Sequence, residues 1–317
     1  MNSLIIPVYK NAENIPALLA ALKELNRQIS NLEVIFVVDG SPDASASLLT
    51  QLLPTSGLKA QLLILSRNFG SYPAIRSGLI AARGERFAVI AADLQEPPEL
   101  VTTFFKVLET EPVDIVIATR ESRSDPLLSK LASNTFWAMY KKFIVPEMPE
   151  GGVDVFACNM VFRDQLVRLD ESHSSLVALL FWMGFRRKEV SYTRSARQHG
   201  KSAWSFKKKY TYLKDSIFSF TDVPIKLLTW IGTLGILFSV MMAIIVLLSR
   251  LAGWVTIPGY SATVLTVIFF GALNLLGLGI IGTYAWRTYE NTKRRPSSLV
   301  MTQVDFIATK PNHLGQS

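Results

Sequence analysis

Three polar residues of this 317-residue chain each stand immediately after a short, largely apolar run. Asp39 follows the run 34–38, Arg67 follows 62–66, and Asp93 follows 87–92. Gln95 comes two residues after Asp93, and a carboxylate with an amide carbonyl is an oxygen ligand pair for a hard divalent cation. A cation so held serves as a Lewis acid when a diphosphate departs. Thiolate and imidazole metal chemistry is not expected, because Cys158 is the single cysteine and His173, His199 and His313 are scattered. Taken singly, Asp39-Gly40-Ser41-Pro42 also reads as a turn and Asp93–Pro98 as a helix start. The convergence of the three is the signal.

The elements that must position them follow from hydrophobic periodicity. Residues 3–8, 34–38, 62–66, 87–92 and 115–119 are near-continuous apolar runs, the pattern of strands covered on both faces. Ile15, Leu18, Leu19, Leu22 and Leu25 recur at helical spacing, as do Leu48, Leu49, Leu52 and Leu53 after Ser41-Pro42. Strands alternating with helices predict a mostly parallel α/β sheet with right-handed crossovers. Ligands bind outside the carboxyl ends of such strands, which is where Asp39, Arg67 and Asp93 fall. Farther on, 125–145 reads as a helix, and 154–162 and 187–193 as strands.

Composition then divides the chain. Apolar residues make up 49% and charged ones only 18%, and the apolar excess is local. The stretches 227–249 and 261–286 carry no charge, and each exceeds the roughly 20 residues that span a bilayer core. The net charge of +8 is local too: residues 186–226 hold 11 basic and 3 acidic groups. A basic band beside a membrane span reads as positive-inside topology, so nucleic acid is not expected as a partner. Residues 206–224 mix aromatics with lysines, the pattern of an amphipathic helix in a membrane interface. Basic flanks put both hairpin ends, the α/β domain and both termini in the cytoplasm. No basic leader precedes the first strand run, so no signal peptide is expected. Gly277-Leu278-Gly279-Ile280-Ile281-Gly282 spells a dinucleotide fingerprint, but it lies inside the second span, where glycines favour helix packing.

Several stretches, in order, resemble glycosyltransferase family 2 with the GT-A fold, within it the polyprenyl-phosphate group of dolichol-phosphate mannose synthases and bactoprenol glucosyltransferases. They are Ile5-Ile6-Pro7-Val8-Tyr9, Val38-Asp39-Gly40-Ser41-Pro42-Asp43, Ser66-Arg67-Asn68-Phe69-Gly70, Asp93-Leu94-Gln95-Glu96-Pro97-Pro98-Glu99 and Arg197-Gln198-His199-Gly200-Lys201-Ser202. The resemblance implies a GT-A (Rossmann-like) α/β domain over 1–205, a juxtamembrane amphipathic segment over 206–226, spans at 227–249 and 261–286, and a cytoplasmic tail over 287–317. It implies that Pro7 and Tyr9 line a nucleotide pocket, that Asp39 hydrogen-bonds the base, and that Arg67 sits near the donor. Asp93 and Gln95 would hold Mg2+ or Mn2+ on the donor diphosphate, and Asp154 would lie near the sugar or acceptor. Arg197, Lys201 and Lys207 would bind the acceptor phosphate.

The activity so implied is transfer of a hexose, glucose from UDP-glucose foremost, to polyprenyl phosphate (undecaprenyl or dolichyl) at the cytoplasmic face of a bacterial inner membrane. A phosphate monoester is largely dianionic at neutral pH, so its oxygen attacks without a strong protein base, and a single displacement inverts the anomeric centre. Ala91 stands where the family usually has a first acid, and Lys10-Asn11 where it tends to have Asn-Glu. That departure motivates an alternative, a catalytically inert membrane scaffold that binds nucleotide sugar. The glycine-bearing spans are compatible with a homo-oligomer.

Overall fold

The computed structural model describes residues 1–120, 141, 144–149, 153–171, 174–195, 206–252 and 259–307. The chain forms two compact units, one of residues 1–209 with 296–317 and the other of residues 210–295. The expected helix over 125–145 lies almost wholly outside the described residues.

The first unit is built in order from β1 (Asn2–Val8), α1 (Ile15–Gln28), β2 (Leu32–Val38), α2 (Ser45–Leu52), β3 (Ala60–Leu65), α3 (Ser71–Ala81), β4 (Arg86–Val89), α4 (Glu99–Thr110) and β5 (Ile115–Arg120). After β5 come β6 (Val153–Asn159), α5 (Met160–Arg168), α6 (Leu176–Trp182) and β7 (Arg187–Tyr192). The second unit carries α7 (Phe206–Phe220), which begins just before it, then α8 (Val223–Leu251) and α9 (Tyr260–Thr292). The chain then returns to the first unit as β8 (Val300–Phe306).

Eight strands form one sheet in the order β7-β5-β6-β4-β1-β2-β3-β8. The segment β4-β1-β2-β3 is parallel, and so is the β5–β7 pair. Every residue of β2 is buried, as its unbroken apolar run requires of a strand covered on both faces. Leu18, Leu22 and Leu25 of α1 and Val101 and Phe104 of α4 pack against the sheet residues Leu4, Phe36 and Ala88. Phe36, Phe87, Phe104, Phe156 and Phe162 are among the largest fully buried side chains. Each contributes about 1.5–3 kcal/mol by leaving water. Cys158 is buried in β6, and burial pushes its thiol pKa up, so it is a packing residue.

Two features depart from the expected elements. The stretch 154–162 is not one strand, because Asn159 accepts a hydrogen bond from the Phe162 amide at 2.9 Å and so starts α5. β6 also runs antiparallel to β4 and β5, which makes the sheet mixed. The second departure is larger. Residues 287–317, expected as a tail, hold β8, which pairs antiparallel with β3 from Ala60↔Phe306 to Leu65↔Val300. Without it β3 would present an open edge of unpaired backbone groups. Side chains reinforce the pairing: Arg83 bridges Asp305 at 2.8 Å, Gln303 donates to Gln61 at 3.2 Å, and the Ser77 and Ser298 hydroxyls meet at 2.6 Å.

In the second unit, α8 and α9 are each long and apolar enough to cross a membrane over 223–242 and 269–292. A Cβ on Gly277 would meet Leu228 at 3.3 Å, so this glycine serves close helix packing, whereas Gly279 and Gly282 have nothing within 4 Å of a Cβ and do not play the packing role expected of them. Arg287 of α9 donates to Asp215 of α7 at 2.6 Å and to Ser219 at 3.0 Å, and lies over the Phe218 ring at 5.3 Å.

Candidate active site

The strand directions decide which residues meet. β1, β2, β3, β4, β5 and β7 all end at one edge of the sheet, and β6, being antiparallel, begins there. Asp39, Arg67 and Asp93 therefore share that edge with Tyr9, and β6 brings the backbone of Asp154 to it. Pro7 lies two residues past the last β1–β4 pair, Ile5↔Val89, where its missing N–H costs no ladder bond to β4. Lys207 lies on α7. Arg197 and Lys201 lie outside the described residues.

The loops after β1 and β2 are tied together by Asp43. Its carboxylate accepts from the Ser41 hydroxyl at 2.6 Å, the Ala12 amide at 3.0 Å and the Ser45 amide at 3.2 Å. Burial works to raise its pKa, but these hydrogen bonds from Ser41, Ser45 and Ala12 outweigh burial and hold the carboxyl below its ordinary value. Ser41 in turn accepts from the Lys10 amide at 2.7 Å. Lys10 has φ +56°, a left-handed conformation that Asn adopts more readily, and its ammonium lies 5.5 Å from the Tyr9 ring centroid.

Asp39 is buried at the end of β2. Its carboxylate oxygens accept from the amides of Phe69 at 2.7 Å and Gly70 at 2.9 Å, and its carbonyl accepts from the Asn68 side chain at 3.3 Å. In this structure Asp39 anchors the 67–70 loop. Arg67, at the head of that loop, stacks its guanidinium 4.0 Å from the Phe69 ring centroid and stays exposed. The two loops approach so closely at Gly40, φ +54°, that a Cβ there would stand 2.2 Å from the Arg67 carbonyl carbon.

The loop after β4 departs from expectation. Asp93 is partly exposed, and its Oδ1 accepts from the Gln95 amide at 3.3 Å. The side-chain amide of Gln95, expected beside the Asp93 carboxylate as a second ligand, is engaged by the 194–195 segment. Its Oε1 accepts from Arg194 Nη2 at 2.6 Å, and its Nε2 donates to the Ser195 carbonyl at 3.3 Å. A guanidinium at that distance repels a divalent ion from the same oxygen. Leu94, between the two, has φ +55°. Sequence reasoning did not single out Arg194 or Asp43. The available signals were a second arginine just after the predicted strand 187–193, and an acid two residues after Ser41.

Residues 3–169 match the family model described as glycosyl transferase family 2. The chain belongs to that family. An uncharacterized glycosyltransferase of Synechocystis sp. is 32% identical over 302 residues, covering 94% of both chains. A prophage bactoprenol glucosyl transferase homolog of Escherichia coli is 27% identical over 300 residues, covering 94% of this chain and 97% of its own. Glucosyl-3-phosphoglycerate synthase from Mycobacterium tuberculosis, solved with phosphoglyceric acid, overlays with a TM-score of 0.49 at 17% identity, over 68% of this chain and 80% of that one. The mixed eight-stranded sheet described above is the GT-A sheet of this family 2 glycosyltransferase, and the matched region contains Tyr9, Asp39, Arg67, Asp93 and Asp154.

Proposed function

We propose that this glycosyltransferase moves glucose from UDP-glucose to a polyprenyl phosphate with inversion, at the cytoplasmic face of a membrane crossed by α8 and α9. The observation that carries the reading is the joining of a nucleotide-sugar-type sheet edge to an apolar hairpin in one chain. The hairpin, residues 210–295, leaves from and returns to the same sheet unit, which supports two crossings with both ends on one side. Likeness to a bactoprenol glucosyl transferase homolog over nearly the whole chain supports the lipid acceptor and the glucosyl donor.

Among the described residues no three His, Cys, Asp or Glu side chains converge on a metal position. The site fits Mg2+ or Mn2+ held by Asp93 together with oxygens of the donor diphosphate, since such ions are commonly bound by one or two carboxylates plus substrate phosphates. When bound, the ion neutralises charge on the departing diphosphate. Asp93 supplies the protein carboxylate, and Tyr9 and Arg67 flank the donor. Asp154 serves the transferred sugar or the acceptor, and Arg197, Lys201 and Lys207 offset the charge of the lipid phosphate so that two anions can approach. The dianionic acceptor is its own nucleophile.

The test is transfer of label from radioactive UDP-glucose to undecaprenyl phosphate in detergent with Mn2+. Labelled lipid from the wild type, and its loss in Asp93→Asn, is the expected result. Labelled lipid from Asp93→Asn at the wild-type rate refutes the role of Asp93, and no labelled lipid from wild-type protein that binds UDP-glucose returns the chain to the inert-scaffold reading.

A further inference from the structure

The loop that presents Asp93 is held from a distance by one arginine. Arg194 follows β7 at the same sheet edge, and its contacts with the 93–96 loop are closely spaced. Its Nη2 donates to Gln95 Oε1 at 2.6 Å, and its Nε lies 3.9 Å from Glu96 Oε1. The next residue, Ser195, donates its amide to the Gln95 carbonyl at 2.9 Å and accepts from Gln95 Nε2 at 3.3 Å. Gln95 is thus gripped through its main chain and both ends of its side-chain amide. Glu96, a carboxylate only 3% exposed, faces the same guanidinium.

Resting on the donor-site reading above, we propose that Arg194 is a positioning residue for Asp93. The connection runs through named atoms: Arg194 fixes the Gln95 side chain, and the Gln95 amide fixes Asp93 Oδ1. Between them Leu94 sits at φ +55°, a conformation that is strained for a leucine and persists only where its surroundings enforce it. Arg194 and Ser195 supply that enforcement by clamping the residue that follows. The planar guanidinium reaches the Gln95 amide oxygen at 2.6 Å while its Nε stays 3.9 Å from the Glu96 carboxylate, a placement that a lysine ammonium, a single point charge, does not reproduce. Gln95 acts as a strut between Arg194 and Asp93. The outcome is a lone carboxylate held in one orientation toward the donor diphosphate, in a chain whose residue 91 is alanine.

The experiment uses the full chain in detergent, as wild type, Arg194→Lys and Arg194→Ala. It measures UDP binding with Mn2+ by calorimetry, thermal unfolding, and KM for UDP-glucose and for lipid phosphate. Arg194→Lys is expected to unfold near the wild-type temperature yet bind UDP with Mn2+ about tenfold more weakly, as outer contacts of metal ligands usually do when lost. The donor KM rises in step, and the lipid-phosphate KM stays unchanged. Should Arg194→Ala fail to fold, the lysine variant carries the result. Wild-type binding of UDP with Mn2+ together with equal binding by Arg194→Lys overturns the assignment and leaves the donor site standing. A wild-type protein that binds no UDP with Mn2+ overturns the donor reading, and this assignment with it.

Discussion

Replacing Gly40 by alanine tests whether the site is built from two loops locked against each other. The new Cβ would stand 2.2 Å from the Arg67 carbonyl carbon, 2.3 Å from the Asn68 nitrogen and 2.7 Å from Arg67 Cα. All three are backbone atoms, and carbon contacts settle near 3.5–4.0 Å, so the peptide between Arg67 and Asn68 must retreat by about 1 Å or more. That peptide leads into the amides of Phe69 and Gly70 that hold the Asp39 carboxylate. Losing one hydrogen bond to a charged group costs about 1.5–3 kcal/mol. Left-handed backbone at φ +54° adds about 1–2 kcal/mol for alanine. The expected total is roughly 3–4 kcal/mol, or about 10 °C in unfolding temperature for a domain of this size. Gly57 is the internal control, because it has φ +72° with nothing within 4 Å of a Cβ. Gly57→Ala therefore meets the conformational cost alone, about 1–2 kcal/mol. Thermal unfolding in detergent and UDP titration measure both variants. Equal shifts in the two, or wild-type UDP affinity in Gly40→Ala, refute the two-loop lock.

Two further outcomes follow from the geometry. Because the folded pKa of Asp43 lies below its ordinary 3.8, its contribution to stability is complete above that value and is lost as pH falls through the folded value. Urea midpoints of wild type and Asp43→Asn are thus expected to differ at pH 5–7, which is about 1–3 units above an ordinary Asp pKa, and to converge in stronger acid. A stop codon after Arg295 removes β8, and the sheet unit is expected to lose on the order of 4 kcal/mol through its ladder bonds. Limited proteolysis near 60–65 checks this, and unchanged resistance there would show that β3 does not need its partner.

The strand-end residues were readable because each follows an apolar run, and a run of that length has few other uses. Asp39, Arg67 and Asp93 all sit at the carboxyl edge for that reason. The direction of β6 was not readable, since periodicity reports which face is buried and says nothing of polarity along the sheet. β8 was hidden for a related reason: only Val304 and Phe306 alternate with polar residues, Gln303 and Asp305, in a short stretch beside a strongly apolar hairpin. The Gln95–Arg194 contact joins residues 99 apart. No local pattern encodes such a pair, so a motif read locally offers Gln95 as a metal ligand and is silent about the arginine that holds its amide.

The return of the chain to β3 sets an order of synthesis. Gln61 meets a partner 242 residues later, at Gln303, so at about 5–20 residues per second the strand waits on the order of 10–50 s for its neighbour to leave the ribosome. Both apolar helices are made within that interval. Until they are placed, the nascent sheet carries an open edge, the state most prone to aggregate or be cleaved. Closure by β8 therefore comes last, and a completed sheet certifies that the whole hairpin has already been synthesised.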